Sequence, residues 1–235
     1  MSVAENLRGL EERIEAARRR TGRRDVVTVV AVTKGRAAAL VREALEAGVV
    51  DVGENRVQEA RAKWPALADE FTRRGVRRHM IGHLQRNKVA VALELFDLVQ
   101  SVDSVPLARK ISEHAAARGG RMPVLLQLNA GGEETKSGFE PDDFERQLPD
   151  LVELSGLAIS GLMTLVPLDA GEARLRAIFG GTRERFERLR AELPGHPVRH
   201  LSMGMSGDFE IAVEEGATLV RIGTALFAGA EAAAP

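Results

Sequence analysis

The chain has 235 residues, 44% of them hydrophobic and 29% charged, with a formal net charge of −1. This balance supplies apolar material for a sizeable core and excludes wholesale disorder; the arginine clusters at 18–20 and 23–24 are offset by acids elsewhere, which argues against nucleic-acid binding. No cysteine is present, so disulfides, thiolate zinc sites and a thiol nucleophile are ruled out.

The opening MSVAENLRGLEERIEAARRR mixes acids and bases at helical spacing and lacks the apolar run of a signal peptide. No stretch reaches the ~20 apolar residues of a membrane helix, so a cytoplasmic address is the expectation. After this helix, Val26 to Lys34, VVTVVAVTK, predicts a first strand. Leu40, Ala44 and Ala47 predict a helix over Ala37 to Ala47 that stops at Gly48, and Val49 to Val52 predicts the second strand. Asn55 to Trp64 reads as a helix closed by Pro65, Arg77 to Gly82 as the third strand, and Asn87 to Leu95 as the helix after it. Asp97 to Val102 is the fourth strand and Val105 to Ala117 its helix, ended by Gly119 and Gly120. Pro123 to Asn129 predicts the fifth strand, with a helix over Pro141 to Leu154; Leu157 to Leu165 predicts the sixth, with a long helix over Gly171 to Leu193. Val198 to Ser202, a short helix over Asp208 to Glu215, and Thr218 to Gly223 complete the series.

Eight strands with seven intervening helices predict an α/β fold, a single (β/α)8 TIM barrel; a doubly wound open sheet fits the alternation but suits this length less well. The expected organisation is a helix over 1–25 packed on the barrel, the barrel over 26–230, and a disordered tail over 231–235.

Function in such barrels collects at the C-terminal ends of the strands. Those ends carry Thr33-Lys34, Gly53-Glu54-Asn55, Gly82-His83-Leu84-Gln85, Gln100-Ser101-Val102 and Met163, all expected to ring one mouth. Lys34 reads either as a solvated lysine or as an amine whose pKa burial lowers, fitted to form a Schiff base with an aldehyde. The chain has five lysines, at 34, 63, 88, 110 and 136, and one sited at a strand end favours the second reading.

Ser202-Met203-Gly204-Met205-Ser206-Gly207-Asp208 combines small residues with the start of a helix, and Val220-Arg221-Ile222-Gly223-Thr224 adds a glycine and a hydroxyl at the next strand end. Each loop alone reads equally as a Gly/Ser turn with an Asp cap, but barrels of this kind frequently build phosphate sites after strands seven and eight. Arg221 reads either as half of a rim salt bridge or, if it faces the mouth, as a partner for the ring nitrogen of a cofactor on Lys34. A permanently charged arginine would leave that nitrogen unprotonated and weaken the ring as an electron sink. His79 and His83 straddle a strand and a loop, which argues against a metal site; His200 is expected in the core, and His114 and His196 on the surface.

The segments AVTK, VGENRVQEA, HMIGHLQRNK, VQSVD, ETKSGF, GLMTLVP and LSMGMSGDFEIAVEEGATLVRIGTALFA occur in this order and at matching separations over Val26 to Ala228. They resemble the pyridoxal phosphate homeostasis proteins, the YggS/PROSC family. The resemblance implies the barrel of the alanine racemase N-terminal domain (a fold-type III barrel without its β domain), bound pyridoxal 5'-phosphate, and a role in vitamin B6 homeostasis rather than a defined reaction. It makes Lys34 the Schiff-base lysine and Ser202, Gly204, Ser206, Gly223 and Thr224 candidates around the phosphate. It also makes Arg221 the partner of the pyridine nitrogen, Asn55 and Met163 neighbours of the ring, and Lys136 a candidate for a secondary cofactor role. Gly35-Arg36 departs from the family, whose members often carry a second lysine and a proline there.

A two-base racemase of this type needs an acid/base group facing the lysine. Relatives use a tyrosine from a separate domain, or a cysteine in related decarboxylases, and this chain has neither residue. The expectation is a monomeric carrier or regulator of pyridoxal phosphate without robust turnover and without a metal, with cofactor-dependent apo-enzymes as recipients. The rivals are an amino-acid racemase or other weak pyridoxal enzyme, and a Schiff-base aldolase acting on a sugar phosphate.

Overall fold

Short, largely apolar runs buried on both faces build the centre of the molecule. In the computed structural model, which describes residues 1–132, 137–167 and 169–230, eight strands form one closed, all-parallel barrel in chain order. They are β1 (Thr28–Val32), β2 (Asp51–Glu54), β3 (Arg77–Met80), β4 (Leu98–Val102), β5 (Met122–Leu128), β6 (Leu157–Thr164), β7 (His200–Ser202) and β8 (Leu219–Ile222). Closure is made by β1 against β8, with Val30 paired to Arg221. Ala31, Val52, Val220 and Ile222 pack outward in the large core beneath the helices, while Val30, Leu98, Leu125, Met163 and Leu219 form a small apolar cluster of their own. Strands buried on both faces are what an all-parallel sheet requires.

The helices are α1 (Val3–Thr21), α2 (Ala38–Glu46), α3 (Val57–Lys63), α4 (Ala68–Arg74), α5 (Val89–Leu95), α6 (Val105–Ala117), α7 (Pro141–Val152), α8 (Glu172–Glu192), α9 (Phe209–Glu214) and α10 (Thr224–Phe227). Two were not anticipated. Pro65 does not end the helical region: it sits in a 3-10 turn, Trp64–Leu67, that joins α3 to α4. The four residues of α10 are too few to show a helical period.

Helix α1 begins at a capping box between Ser2 and Glu5 and ends at Gly22 in the left-handed conformation. Val3, Leu7, Leu10, Ile14 and Ala17 form its buried stripe. Asn6 donates to the carbonyls of Leu226 and Ala228 (both 2.9 Å), Arg13 pairs with Glu210 (2.8 Å) and Arg20 with Glu214 (2.6 Å). The helix is thereby fastened to α9 and α10.

At the opposite end from the strand C-termini, a cavity of about 240 Å³ is lined by Asp51, Arg77, His79, Arg199 and His200 among others. His200 is half-buried rather than fully in the core. Burial, with the positive charges of Arg77 and Arg199 in support, pulls its imidazole down to about 4. The unfolded chain, with His200 near 6.5, binds the proton first, so acidification from pH 6.5 towards 4 favours unfolding. Stability should fall by about 2 kcal/mol across that window once solvent screening is allowed for. Urea titrations of wild type and His200→Gln at both pH values check this, and the variant should lose most of the dependence. His196, expected on the surface, is half-buried and accepts from the Ile159 N–H (3.1 Å); His114 is half-buried on α6.

Candidate functional site

Beyond β1 the chain turns through Thr33, Lys34 and Gly35, and a positive φ of 68° at Gly35 permits the turn. A second lysine braces it from below. Lys63, whose side chain is only 8% exposed, donates to the Thr33 carbonyl (2.6 Å) and the Arg36 carbonyl (3.1 Å) and pairs with Glu54 (2.5 Å). The Glu59 carboxylate accepts from the Gly35 N–H, and Thr33 Oγ1 donates to Glu54 Oε1 (2.6 Å). Burial raises the Glu54 pKa against the opposing effects of Lys63 and Thr33, and Glu54 Oε2 is buried without a hydrogen-bond partner among the described residues. Lys63 thus spends its three donors on the turn and its acid, whereas Lys34 has no hydrogen bond or ion pair among the described residues. Lys34 is exposed, so its availability comes from an open position and not from the burial expected.

Lys34 opens onto a cleft of about 360 Å³ shared with Arg36, Ser206, Gly207, Asp208, Arg221, Gly223 and Thr224. The loop after β7 passes so close to α9 that a Cβ at Gly204 would lie 2.6 Å from Ala212 Cβ, and Gly204 has a φ of +92°. Only glycine meets both demands without strain. The Ser206 hydroxyl accepts from the Ala225 N–H (3.2 Å), tying the two loops together. Asp208 accepts from the Met205 N–H (2.5 Å), while burial pushes its carboxyl above the ordinary aspartate range.

Arg221 points into the barrel and is 4% exposed. It does not make a rim salt bridge: Nη1 donates to Ser202 Oγ (2.7 Å) and Nη2 to the Thr164 carbonyl (2.8 Å). Burial draws its pKa down to about 10, opposed by Asp208, so it remains a cation at neutral pH.

Of the residues expected at one mouth, Lys34, Ser206, Arg221, Gly223 and Thr224 come together in this cleft. Ser202 and Gly204 lie beneath it: Ser202 supports Arg221, and the Gly204 carbonyl accepts from the Arg221 N–H (2.9 Å). Asn55 lines a neighbouring cleft with Arg56, Met80, His83 and Lys88, because the chain after β2 leans towards β3. Met163 is fully buried in the interior apolar cluster. Lys136 lies outside the described residues. Sequence reading placed Glu54 at the mouth but missed Arg36, whose guanidinium sits 5.4 Å above the Phe227 ring, and the bracing partners Glu59 and Lys63. The i, i+4 spacing of Glu59 and Lys63 was the available signal.

The model of the alanine racemase N-terminal domain family matches residues 6–231. A pyridoxal phosphate homeostasis protein of Pseudomonas aeruginosa is 41% identical over 236 residues, covering 100% of this chain and 98% of its own length. A protein of the same description from Aquifex aeolicus is 39% identical over 97% of this chain and 98% of its own. Among solved structures, PipY of Synechococcus elongatus with pyridoxal phosphate bound is similar at a TM-score of 0.83 and 37% identity, covering 96% of this chain and 99% of that one. Nearly full-length similarity at these identities, on the same closed barrel, shows that the chain belongs to the family of pyridoxal phosphate homeostasis proteins built on the alanine racemase N-terminal domain.

Proposed function

We propose that this protein holds pyridoxal 5'-phosphate through a reversible covalent bond to Lys34 and serves cellular homeostasis of that cofactor as a carrier or regulator. Pyridoxal phosphate supplies an aldehyde, a pyridine nitrogen and a phosphate, and the cleft offers a counterpart for each. The observation that carries the reading is the convergence of an unengaged amine, a buried arginine and two Gly/Ser/Thr loops on one cleft of about 360 Å³. Lys34 would bond the carbonyl carbon, Ser206, Gly223 and Thr224 would receive the phosphate, and Arg221 would face the ring nitrogen, with Ser202 and Gly204 supporting from beneath. Asn55 and Met163 fit a role at the edge of the ring less well, one lying in the next cleft and the other inside the barrel.

The described titratable groups lining the cleft are Lys34, Arg36, Asp208 and Arg221. Asp208 is the one carboxyl among them, and its engagement with the Met205 N–H makes it a poor match for the second base of a racemase. Its raised pKa nevertheless favours slow proton transfer as the second reading. Among the described residues no helix is long and apolar enough to cross a membrane, and the large exposed apolar side chains are Met1, Val26 and Val50. A cytoplasmic monomer fits this surface, and apo-enzymes that require the cofactor fit as recipients.

Titration of the purified protein with pyridoxal phosphate should produce a visible absorption band at one equivalent that survives gel filtration. The loaded protein should then restore activity to a cofactor-free pyridoxal enzyme. A protein that gives no band and instead cleaves a sugar phosphate would be an aldolase. Rapid cofactor-dependent exchange of amino-acid α-hydrogens in deuterated water would overturn the carrier reading in favour of an enzyme.

A further inference from the structure

Beneath the cleft, a line of polar side chains crosses the inside of the barrel from one end to the other. Asp51, Gln100 and Ser202 have no solvent exposure, and His79 and Arg221 have only 2% and 4%. Arg77 donates to Asp51 Oδ2 (2.7 Å), and His79 Nε2 lies 2.8 Å from Asp51 Oδ1. His79 Nδ1 lies 2.8 Å from Gln100 Nε2, Ser202 Oγ lies 2.6 Å from Gln100 Oε1, and Arg221 Nη1 lies 2.7 Å from Ser202 Oγ. No strand supplies two of these five buried groups: they come from β2, β3, β4, β7 and β8.

Chemistry fixes the direction of every bond in the line. A guanidinium only donates, so Ser202 Oγ accepts from Arg221 and gives its own proton to Gln100; at the other end a carboxylate only accepts, so His79 donates to Asp51 from Nε2. Against the desolvation that raises it, hydrogen bonds from His79 and Arg77 hold the Asp51 carboxyl below the ordinary aspartate range, which keeps it an acceptor. Gln100 must therefore turn its NH2 towards His79 and its oxygen towards Ser202. The Ser202 proton goes to that oxygen, and the lone pairs of Ser202 Oγ are left for Arg221. Were Gln100 reversed, its oxygen would meet the bare Nδ1 of His79, and the Ser202 proton would lose its acceptor.

This matters because Arg221 has no carboxylate within hydrogen-bonding distance among the described residues, its guanidinium being held by a hydroxyl and a backbone carbonyl. A buried cation with only neutral acceptors depends on each of them. We propose that Gln100, His79 and Asp51 are positioning residues for Arg221: the direction of their hydrogen-bond chain keeps Ser202 as its acceptor and so holds the guanidinium at the floor of the cleft. This reaches beyond the proposed function, since it assigns a role to three side chains that do not line that cleft.

The test begins without cofactor. In protein labelled with 15N-arginine, the Arg221 Nε–H signal is assigned by its loss in Arg221→Lys. Gln100→Met keeps the side-chain length but removes both hydrogen bonds. Asp51→Asn can present an N–H to His79 and so reverse the tautomer. Each is expected to speed exchange of the Arg221 Nε–H with solvent by about tenfold while β1 and β8 backbone amides keep their protection. Unchanged exchange in the variants that fold overturns the proposal, and two variants guard against one failing to fold.

A second readout rests on the pyridoxal phosphate reading. The Kd for pyridoxal phosphate should rise about tenfold and the absorption maximum of the bound cofactor should shift, while the Kd for inorganic phosphate, which needs only the loops, stays unchanged. An equal loss for both ligands would mean general damage to the cleft and overturns the positioning role. If the exchange result holds but wild type binds no pyridoxal phosphate, the proposed function fails and the positioning role stands.

Discussion

Replacing Lys63 with methionine should destabilise the protein by about 3–5 kcal/mol, the usual consequence of stripping one partner from a buried ion pair. The reason lies in Glu54, which has no solvent exposure and one oxygen already without a partner among the described residues. Without Lys63 its charge would be held by Thr33 alone. The Lys34 turn would also lose the two carbonyl contacts that Lys63 makes at Thr33 and Arg36. Denaturant unfolding measures the loss, and the double variant Glu54→Leu, Lys63→Met should recover most of it, because no charge is then stranded. The pH dependence has a defined sign. Burial already raises the Glu54 pKa, and removing Lys63 raises it further, so the folded variant takes up a proton more readily than the unfolded chain. Its deficit should therefore shrink as pH falls towards 5 and grow as pH rises. A deficit independent of pH would mean that Glu54 is not the cause.

Lys34→Ala is expected to do the opposite: little to stability and nearly everything to the ligand. The side chain is exposed and makes no hydrogen bond or ion pair among the described residues, so unfolding free energy should change by no more than about 0.5 kcal/mol. Pyridoxal phosphate affinity should fall by roughly 100-fold or more, since only the loops and Arg221 remain to hold it. Borohydride reduction of the loaded wild type, followed by peptide mapping, should leave the pyridoxyl group on Lys34 and leave Lys34→Ala unlabelled. Label on Lys63 would contradict the geometry in which its ammonium is consumed by Thr33, Arg36 and Glu54. Label on Lys136 in both proteins would show that the lysine assignment is wrong.

The barrel is legible in the sequence because its strands are short apolar runs and its helices repeat in period 3.6, with Gly and Pro between them. The errors have physical sources. The second strand, predicted over Val49 to Val52 from its apolar character, begins two residues later; its true start, Asp51, is an inward-facing charged residue that no hydrophobic pattern reveals. Pro65 suggested a stop, yet proline is tolerated in the first turn of a new helical segment, and α4 lies just beyond it. At the site, Lys34 and the loops after β7 and β8 could be read locally, since each motif carries its chemistry within a few residues. The structure sets Asn55 in the neighbouring cleft and Met163 inside the barrel, because strand ends can be ordered from sequence while the lean of a loop or the depth of a side chain cannot. Least legible was the interior line. His79, Gln100 and Ser202 stand far apart in the chain, and their meeting is a property of barrel closure that no local pattern encodes.

The placement of α1 carries a mechanical consequence. Asn6 clasps the end of α10, Arg13 reaches Glu210 and lies 4.5 Å above the Phe209 ring, and Arg20 holds Glu214. The helices so grasped are those that follow the Ser206 and Gly223-Thr224 loops. The first helix of the chain is thus fastened directly behind both loops to which the proposed function assigns the phosphate, so a single N-terminal element ties the two halves of that cradle together.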